Sequence, residues 1–332
     1  LSLSLSLSLS LGHWHCRLHL RLGVVPLPVA RHCRQPAEAR WRVRWREAER
    51  PLFKQLEEDF STAVGYSPGL HCRAVWEEGL KQWQSKFPTT ATLSGVKINL
   101  PRHSKFKDLE GVKFIHVGKT GGTSIEAFFE NNGFRISELH VFPVTTAALR
   151  HDSTIVIALR DPVSRIVSAF NFQITENPTE PHPKWRREWD ACFPDVNTFA
   201  EGLDEQSRCG ELARMAVGSV LPSGWMGSHM FMGPCYYMGG VLDELRSKAV
   251  YAVHSDTWGK DIRAFMKAIG KPITRPKRPH RRGGRYDIWP NLTKLSTELS
   301  SKGRAKLKRH LAFEYWLMSE LDRILQKPEG IH

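Results

Sequence analysis

Hydrophobic and polar residues follow two distinct patterns over residues 111–326. A β-rich apolar run begins at residue 112. Two further runs, 154–159 and 249–254, are almost entirely apolar, as is typical of strands buried on both faces of a parallel sheet. Each run precedes a segment with apolar residues at helical spacing, which predicts a helix. Because strands and helices alternate, we predict an α/β domain with a mainly parallel central sheet flanked by helices.

Four further segments of this domain have weaker patterns. Residues 196–217 are predicted to be helical, and an amphipathic helix is predicted over 302–325. The stretch 226–237, rich in methionine and aromatic residues, is typical of core. Residues 173–197 are rich in proline and are predicted to form a loop that covers the substrate.

The chain ahead of this domain divides into two parts. Residues 1–11 alternate Leu and Ser strictly, which indicates a low-complexity tract or a mistranslated repeat. We therefore expect residues 1–51, which are also arginine-rich, to be disordered or an artefact of the gene model. Residues 52–110 are predicted to form a helical extension and linker, with one or two short helices around the turn at 65–69.

A glycine-rich loop lies between the first strand and its helix. Residues 118–124 read Gly-Lys-Thr-Gly-Gly-Thr-Ser. Glycines let backbone N–H groups turn toward an anion, the helix N-terminus adds partial positive charge, and Lys119 adds a full one. A nucleoside-triphosphatase loop would require glycine at position 113, which is Lys. The stretch is therefore either a different phosphate-binding loop or a glycine-containing turn before an amphipathic helix.

A second polar element follows the strand at 154–159. Asp161 is expected to cap a helix and Pro162 to open it. The apolar stripe of this helix is predicted at Val163, Ile166, Val167 and Phe170, with Ser164, Arg165 and Ser168 outside it. Arg160 and Ser168 can then reach one ligand. The alternatives are a capped helix with a surface arginine, or a metal-binding Walker B role for Asp161.

Together the two elements resemble sulfotransferases that use 3′-phosphoadenosine 5′-phosphosulfate (PAPS). Residues 119–123 match the Lys-Thr-Gly-Gly-Thr form of the carbohydrate, Golgi-type branch, which includes heparan and chondroitin sulfotransferases. Residues 160–168 match that family's Arg-Asp-Pro-x-x-Arg-x-x-Ser element, which grips the 3′-phosphate. The resemblance implies a P-loop-like sulfotransferase domain over 111–326 that needs PAPS and no metal. Its cofactor residues would be Lys119, Thr120, Gly121, Gly122, Thr123, Ser124, Arg160 and Ser168, with Lys119 also stabilising the leaving phosphate.

Sulfuryl transfer to a hydroxyl also calls for a base, and histidine suits that task near neutral pH. His116 lies within the first strand, and His151 precedes the second strand at the end expected to be opposite the ligand. His140 follows the first strand–helix unit and resembles the Leu-His of glycan 6-O-sulfotransferases. We therefore assign His140 as the catalytic base, with Glu138 or a residue of 173–197 as the next candidates.

Composition bears on partners and compartment. The net charge of +14 favours an anionic partner, which we expect to be a glycan or polysaccharide. We expect no nucleic acid, since no zinc-finger, RNA-recognition or basic-zipper pattern is present, and nucleic acid stays an alternative by charge alone. Residues 271–285 are strongly basic, which indicates either a solvated loop or one that closes over a nucleotide.

The resemblance implies the Golgi lumen, although no apolar run of about 18 residues forms a visible membrane anchor. The six cysteines show no metal spacing, and two of Cys192, Cys209 and Cys235 could be bridged in a secreted protein. A glycosylation sequon at Asn291 permits a luminal compartment. Two alternatives to a sulfotransferase stay open: a P-loop nucleotide kinase and a non-catalytic binder of anionic polymer.

Overall fold

The structure, a computed structural model, describes residues 4–11, 14–21, 67–86, 106–175, 184–219, 228–274 and 297–325. The chain divides into two compact units, Leu1–Arg44 and Trp45–His332. In the first unit the Leu–Ser alternation forms strand β1, Ser4–Leu11, which pairs antiparallel with β2, Trp14–Arg21.

The second unit contains the predicted α/β elements. Its described strands are β3 Lys107–Ile115, β4 Phe134–Leu139, β5 Thr154–Leu159 and β6 Ala249–His254. Its described helices are α1 Pro68–Lys86, α2 Gly122–Asn131, α3 Thr146–Leu149, α4 Pro162–Thr175, α5 Lys184–Cys192, α6 Val196–Glu201, α7 Arg208–Val217, α8 Pro234–Met238, α9 Leu242–Leu245, α10 Trp258–Ala268, α11 Ser301–His310 and α12 Ala312–Leu325. Among the described helices, none has both the length and the apolar character needed to cross a bilayer.

The four strands form one sheet in the order β4-β3-β5-β6, and every neighbouring pair is parallel. The α/β fold with a parallel sheet and flanking helices is thereby confirmed. The chain runs from β3 to β4 on one side of β3 and then returns to β5 on its other side. The order therefore reverses at β3, and the loops that follow β3 and β5 border the crevice where this reversal occurs.

Helices cover both faces of the sheet because successive strand residues point to opposite sides. On one face, Phe114 and Val156 pack against α2 and α10. On the other face, Ile115 and Ile157 join a larger cluster that includes residues of α1, α4, α8 and α12. Residues 155–159 are buried on both faces, as predicted from their continuous apolar character, and Thr154 at the start of the strand is half-buried.

Two helix predictions and one loop prediction need correction. Residues 196–217 form α6, a 3₁₀ turn at Gly202–Asp204 and α7 rather than one helix. The terminal helix is two helices that meet at Leu311, a break that the apolar pattern could not reveal because its spacing continues across it. The region 173–197 is not all loop, since α4 extends to Thr175 and α5 buries Trp189 between the prolines.

Two disulfides link helices of the second unit. Cys192–Cys209 joins α5 to α7, and Cys72–Cys235 joins α1 to α8. A bridge within the set Cys192, Cys209 and Cys235 was expected. The pairing of Cys72 was not, because its partner lies 163 residues away.

Candidate functional site

The two predicted phosphate elements meet at the crevice beside β3. The loop after β3 and the residue after β5 lie at the carboxyl ends of adjacent parallel strands, where ligands bind in open α/β sheets. Nη1 of Arg160 donates a hydrogen bond to the carbonyl oxygen of Lys119, at 3.3 Å. The structure therefore brings the arginine of the second element to the lysine of the first.

The loop after β3 has an unusual backbone. Lys119 has φ +68° and Gly121 has φ +96°, the left-handed region that favours glycine. The hydroxyl of Thr120 donates to the carbonyl of Val117 at 2.6 Å, so this side chain holds the turn and is buried. A non-glycine residue at positive φ is uncommon and is often retained at binding sites.

Helix α2 begins directly after this loop, with Gly121 as its N-cap residue. No side chain among the described residues caps it by a hydrogen bond. The first N–H groups of a helix have no partner within the helix, and they carry partial positive charge. This end of α2, ten residues long, is therefore suited to an anion. Thr123 is exposed and Ser124 half-buried there.

The ammonium of Lys119 lies 3.8 Å from the ring centre of Phe172, over its face. Phe172 and Ser168 are four residues apart on α4 and so share a side of that helix. Ser168, which is half-buried, therefore lies on the side of α4 that Lys119 contacts. This contact between Lys119 and Phe172 therefore places Lys119, Arg160 and Ser168 around the same crevice.

Asp161 has a structural role in the described residues. One carboxylate oxygen accepts from the backbone N of Ser164 at 2.8 Å, and the other accepts from the hydroxyl of Tyr315 at 2.7 Å. The prediction that Asp161 caps α4 and Pro162 opens it is confirmed. Since both oxygens are engaged, the geometry does not favour the Walker B alternative.

A polar cluster lies beside the loop at the ends of β3 and β4. Phe114 pairs with Glu138 in the parallel register, and the period of two places His116 and His140 on that same face. The two imidazole rings stack with centres 4.0 Å apart. Nδ1 of His116 contacts a carboxylate oxygen of Glu138.

The tautomer of His140 follows from its partner. Its Nδ1 lies 2.8 Å from the carbonyl oxygen of His116, which can only accept, so Nδ1 carries the proton. Nε2 of His140 is therefore the nitrogen with a free lone pair. Val141, the next residue, has φ +62°, which is strained for a β-branched side chain.

Helix α2 packs against this cluster. Gly122 and Glu126 are four residues apart on α2, and a Cβ on Gly122 would lie 2.0 Å from Cδ2 of His116. Burial raises the pKa of Glu126 to about 8, supported by its hydrogen bond to Glu138. Burial also lowers the pKa of His116 and of His140 to about 4 each. Both imidazoles are consequently neutral near pH 7, and Glu126 is largely protonated.

Three residues at the site were missed by sequence reasoning: Glu126, His229 and Arg165. The ring of His229 lies 5.2 Å from that of His140, and a Cβ on Gly118 would come within 2.4 Å of its Nδ1. Burial lowers the pKa of His229 to about 3.

Arg165, predicted to lie outside the buried stripe, is completely buried. It donates to the carbonyl of His229 at 3.2 Å and pairs with Glu314. The sequence near Arg165 did not indicate either contact, because both partners are distant in the chain.

The remaining sequence predictions fall into two groups. His151 is exposed in the turn before β5, at the end of the strand opposite the loop, as expected. Residues 176–183 of the predicted covering loop and residues 275–285 of the basic segment lie outside the described residues.

The helix after β6, α10, has Thr257 as its N-cap residue, and no side chain among the described residues caps it by a hydrogen bond. Asp261 instead accepts from the backbone N of His254 at 2.9 Å and from the Thr257 hydroxyl at 2.6 Å.

A separate cavity of about 500 Å³ lies between α4 and α6. Its lining includes the carboxylates of Asp195, Glu201 and Glu205. Three acidic residues in the lining do not favour phosphate or sulfate, and Glu201 among them is paired with Lys302 at 3.4 Å.

Comparison of the chain with protein-family models, with curated proteins and with solved structures finds no match.

Proposed function

We propose that this chain is a PAPS-dependent sulfotransferase that transfers a sulfuryl group to a hydroxyl of a carbohydrate acceptor, through a P-loop-like sulfotransferase domain. One observation carries the proposal: the guanidinium of Arg160 meets the Lys119 loop at the reversal of strand order. The two elements that resemble the family's phosphate-binding motifs are thus adjacent. The anionic ends of one nucleotide could span them.

Each group has a defined task in this proposal. The backbone of 121–124 and the hydroxyls of Thr123 and Ser124 hold the 5′-phosphosulfate. Arg160 and Ser168 hold the 3′-phosphate. Lys119 stabilises the charge that gathers on the leaving phosphate. Thr120, whose hydroxyl is committed to Val117, shapes the loop instead of contacting the ligand by its side chain.

The transfer step needs one base. The acceptor oxygen forms a bond to sulfur while the bond from sulfur to the 5′-phosphate oxygen breaks, and that oxygen keeps the electron pair. Nε2 of His140 accepts the proton of the acceptor hydroxyl. The hydrogen bond from Nδ1 to His116 supports this role, because it leaves Nε2 unprotonated.

The disulfides and the net charge of the chain support the same class of enzyme. Two disulfides among the described residues are typical of an oxidising compartment, which agrees with a Golgi-luminal location. The net charge of +14 suits an anionic glycan acceptor.

Nucleotide binding tests the proposal first. Adenosine 3′,5′-bisphosphate should raise the melting temperature, because a ligand that binds only the folded state stabilises it. Adenosine 5′-monophosphate, which lacks the 3′-phosphate, should raise it far less. Arg160→Ala should remove the difference between the two nucleotides, whereas Arg150→Ala, at an exposed arginine, should keep it. Equal shifts from both nucleotides in the native chain, or a larger shift from ATP with Mg²⁺, would contradict the proposal.

A second experiment separates the base from the cofactor residues. His140→Ala should abolish sulfuryl transfer and leave bisphosphate binding intact, whereas Lys119→Ala should impair both. Transfer is measured with radiolabelled PAPS on a panel of polysaccharides. Near-normal turnover by His140→Ala would move the assignment of the base to Glu138 or to a residue of 173–197.

A further inference from the structure

The cluster at the ends of β3 and β4 has the composition of a transition-metal site. His116, Glu138 and His140 each offer one ligand atom, and these atoms lie within 4.8 Å of one another. A tetrahedral zinc site separates its ligand atoms by roughly 3.4 Å. Glu138 and His140 are only half-buried, so their side chains have room to adjust toward that spacing.

The donor set selects the class of metal. Two imidazoles and one carboxylate are the protein ligands of many catalytic zinc sites, which keep a fourth position for water. Imidazole favours Zn²⁺ and similar ions, whereas Mg²⁺ and Ca²⁺ prefer sites made of oxygen ligands. The cluster should therefore discriminate between these two groups of ions.

Neighbouring groups orient the ligands. The hydrogen bond from Nδ1 of His140 to the carbonyl of His116, at 2.8 Å, is of the kind that fixes metal-bound histidines, and it presents Nε2 as the ligand atom. The carboxyl of Glu126 is hydrogen-bonded to Glu138 and so holds that ligand in place. Lys119 is a cation close enough to act on His116 electrostatically, and the carboxylate of Glu138 opposes its charge, whereas Glu126 is largely neutral near pH 7.

We propose that His116, Glu138 and His140 bind one Zn²⁺ ion, and that the bound ion inhibits sulfuryl transfer. Zn²⁺ at Nε2 of His140 occupies the lone pair that would accept the proton of the acceptor hydroxyl. It also takes the place of the proton between His116 and Glu138. Only the inhibition rests on the proposed function, since the binding follows from the ligand set itself.

Zinc binding is measured by competition between the full chain and a chromogenic chelator. His140→Ala and Glu138→Gln should each weaken binding at this site by more than about tenfold. His151→Ala removes an exposed histidine and should leave it unchanged. His13, His15 and Cys16 are unchanged in all these proteins, so zinc bound there forms the same background in each titration. Millimolar Mg²⁺ should not displace the zinc.

The outcomes distinguish the two proposals. Equal zinc affinity in the native chain, His140→Ala and Glu138→Gln would overturn the metal site, whatever the enzyme does. The folded state of each variant is checked by thermal melting without metal. If the native chain transfers sulfate, Zn²⁺ should stop transfer reversibly, with recovery on chelation and no loss of bisphosphate binding. Transfer that continues with zinc bound would overturn the inhibition alone. Zinc binding without any sulfotransferase activity would leave the metal site standing and the proposed function refuted.

Discussion

At the scale of single residues, close backbone approach determines the site. Gly122 lies so near His116 that a side chain there would overlap the imidazole, and Gly118 has the same relation to His229. These glycines are needed for space, since neither has a positive φ. Their small size lets two histidines pack directly beneath the loop.

Gly122→Ala tests this steric role. Its Cβ would lie 2.0 Å from Cδ2 of His116, so the ring or the helix start must move. Overpacking of this kind destabilises by about 1–3 kcal/mol, and the shifted loop should also bind adenosine bisphosphate more weakly. Gly259→Ala is the matched control, because it also lies in a first helical turn but its nearest neighbour would be 3.5 Å away. Urea denaturation and nucleotide titration of both variants give the comparison. Equal stability of the two would contradict the steric argument.

At the scale of elements, a buried ion pair connects α4 to α12. Nη2 of Arg165 lies 3.2 Å from a carboxylate oxygen of Glu314, and both side chains are fully buried. Burial raises the pKa of Glu314, and the charge of Arg165 opposes that shift. Because Arg165 also donates to the carbonyl of His229, the pair links the helix packing to the histidine beside the loop.

Breaking this pair should destabilise the fold strongly. Arg165→Met leaves Glu314 buried without its partner, which should lower the free energy of unfolding by about 3–5 kcal/mol. The double variant Arg165→Met with Glu314→Leu removes both buried charges and should recover a large part of that loss. Denaturant unfolding of the two variants tests the expectation. A double variant no more stable than the single one would show that lost packing, and not the unpaired charge, is responsible.

A second contact between elements depends on pH. Asp204 of the 3₁₀ turn accepts from Arg309 at 2.5 Å and from His310 at 3.1 Å on α11, and these hydrogen bonds hold its pKa well below the usual range. The stabilisation is present above the unfolded pKa of about 3.9 and is lost as pH falls through the folded value. Asp204→Asn should therefore destabilise at pH 7, by no more than about 1 kcal/mol because the side chain is partly exposed to solvent. The difference from the native chain should shrink in strong acid. A difference independent of pH in denaturant titrations would refute this.

The sequence predicts helices and strands better than it predicts which of them pack together in space. Local pattern was sufficient to predict β5 and the start of α4 at Pro162, since each depends on nearby residues. The order of strands and the burial of Arg165 depend on contacts between distant segments. An arginine one position from an apolar stripe is usually at the surface. The sequence around Arg165 therefore did not indicate its buried ion pair with Glu314.

The candidate site was predicted in part for the same reason. Its phosphate loop is a local motif, whereas the histidine cluster forms only when β3 and β4 pair in register. The register follows from the two-residue period once the strands are known to be neighbours. Sequence spacing alone did not reveal that His116 and His140 would stack, or that His229 would reach them.

At the scale of the whole molecule, charge is the dominant feature. The chain carries 48 Lys and Arg residues against 34 Asp and Glu residues, which leaves +14. Several cations of α11 are paired, for example Lys306 with Asp204 at 3.0 Å. The excess of positive charge attracts an anionic polymer over distances of a Debye length.

The acceptor is therefore expected to be an anionic glycan whose binding weakens with salt. Raising ionic strength from about 0.05 M to 0.5 M shortens the Debye length severalfold, so the apparent KM for a sulfated or uronic-acid polysaccharide should rise steeply. The KM for a neutral oligosaccharide should change little, which makes it the internal control.

Replacing Arg281 and Arg282 together by alanine should reduce the salt dependence for the polysaccharide if the basic segment contacts it, whereas Arg304→Ala, at an exposed position of α11, should not. Initial rates with labelled PAPS at several salt concentrations provide the measurement. Preferential sulfation of small phenols or steroids over every polysaccharide, or rates on anionic glycans that do not respond to salt, would rule out this acceptor class.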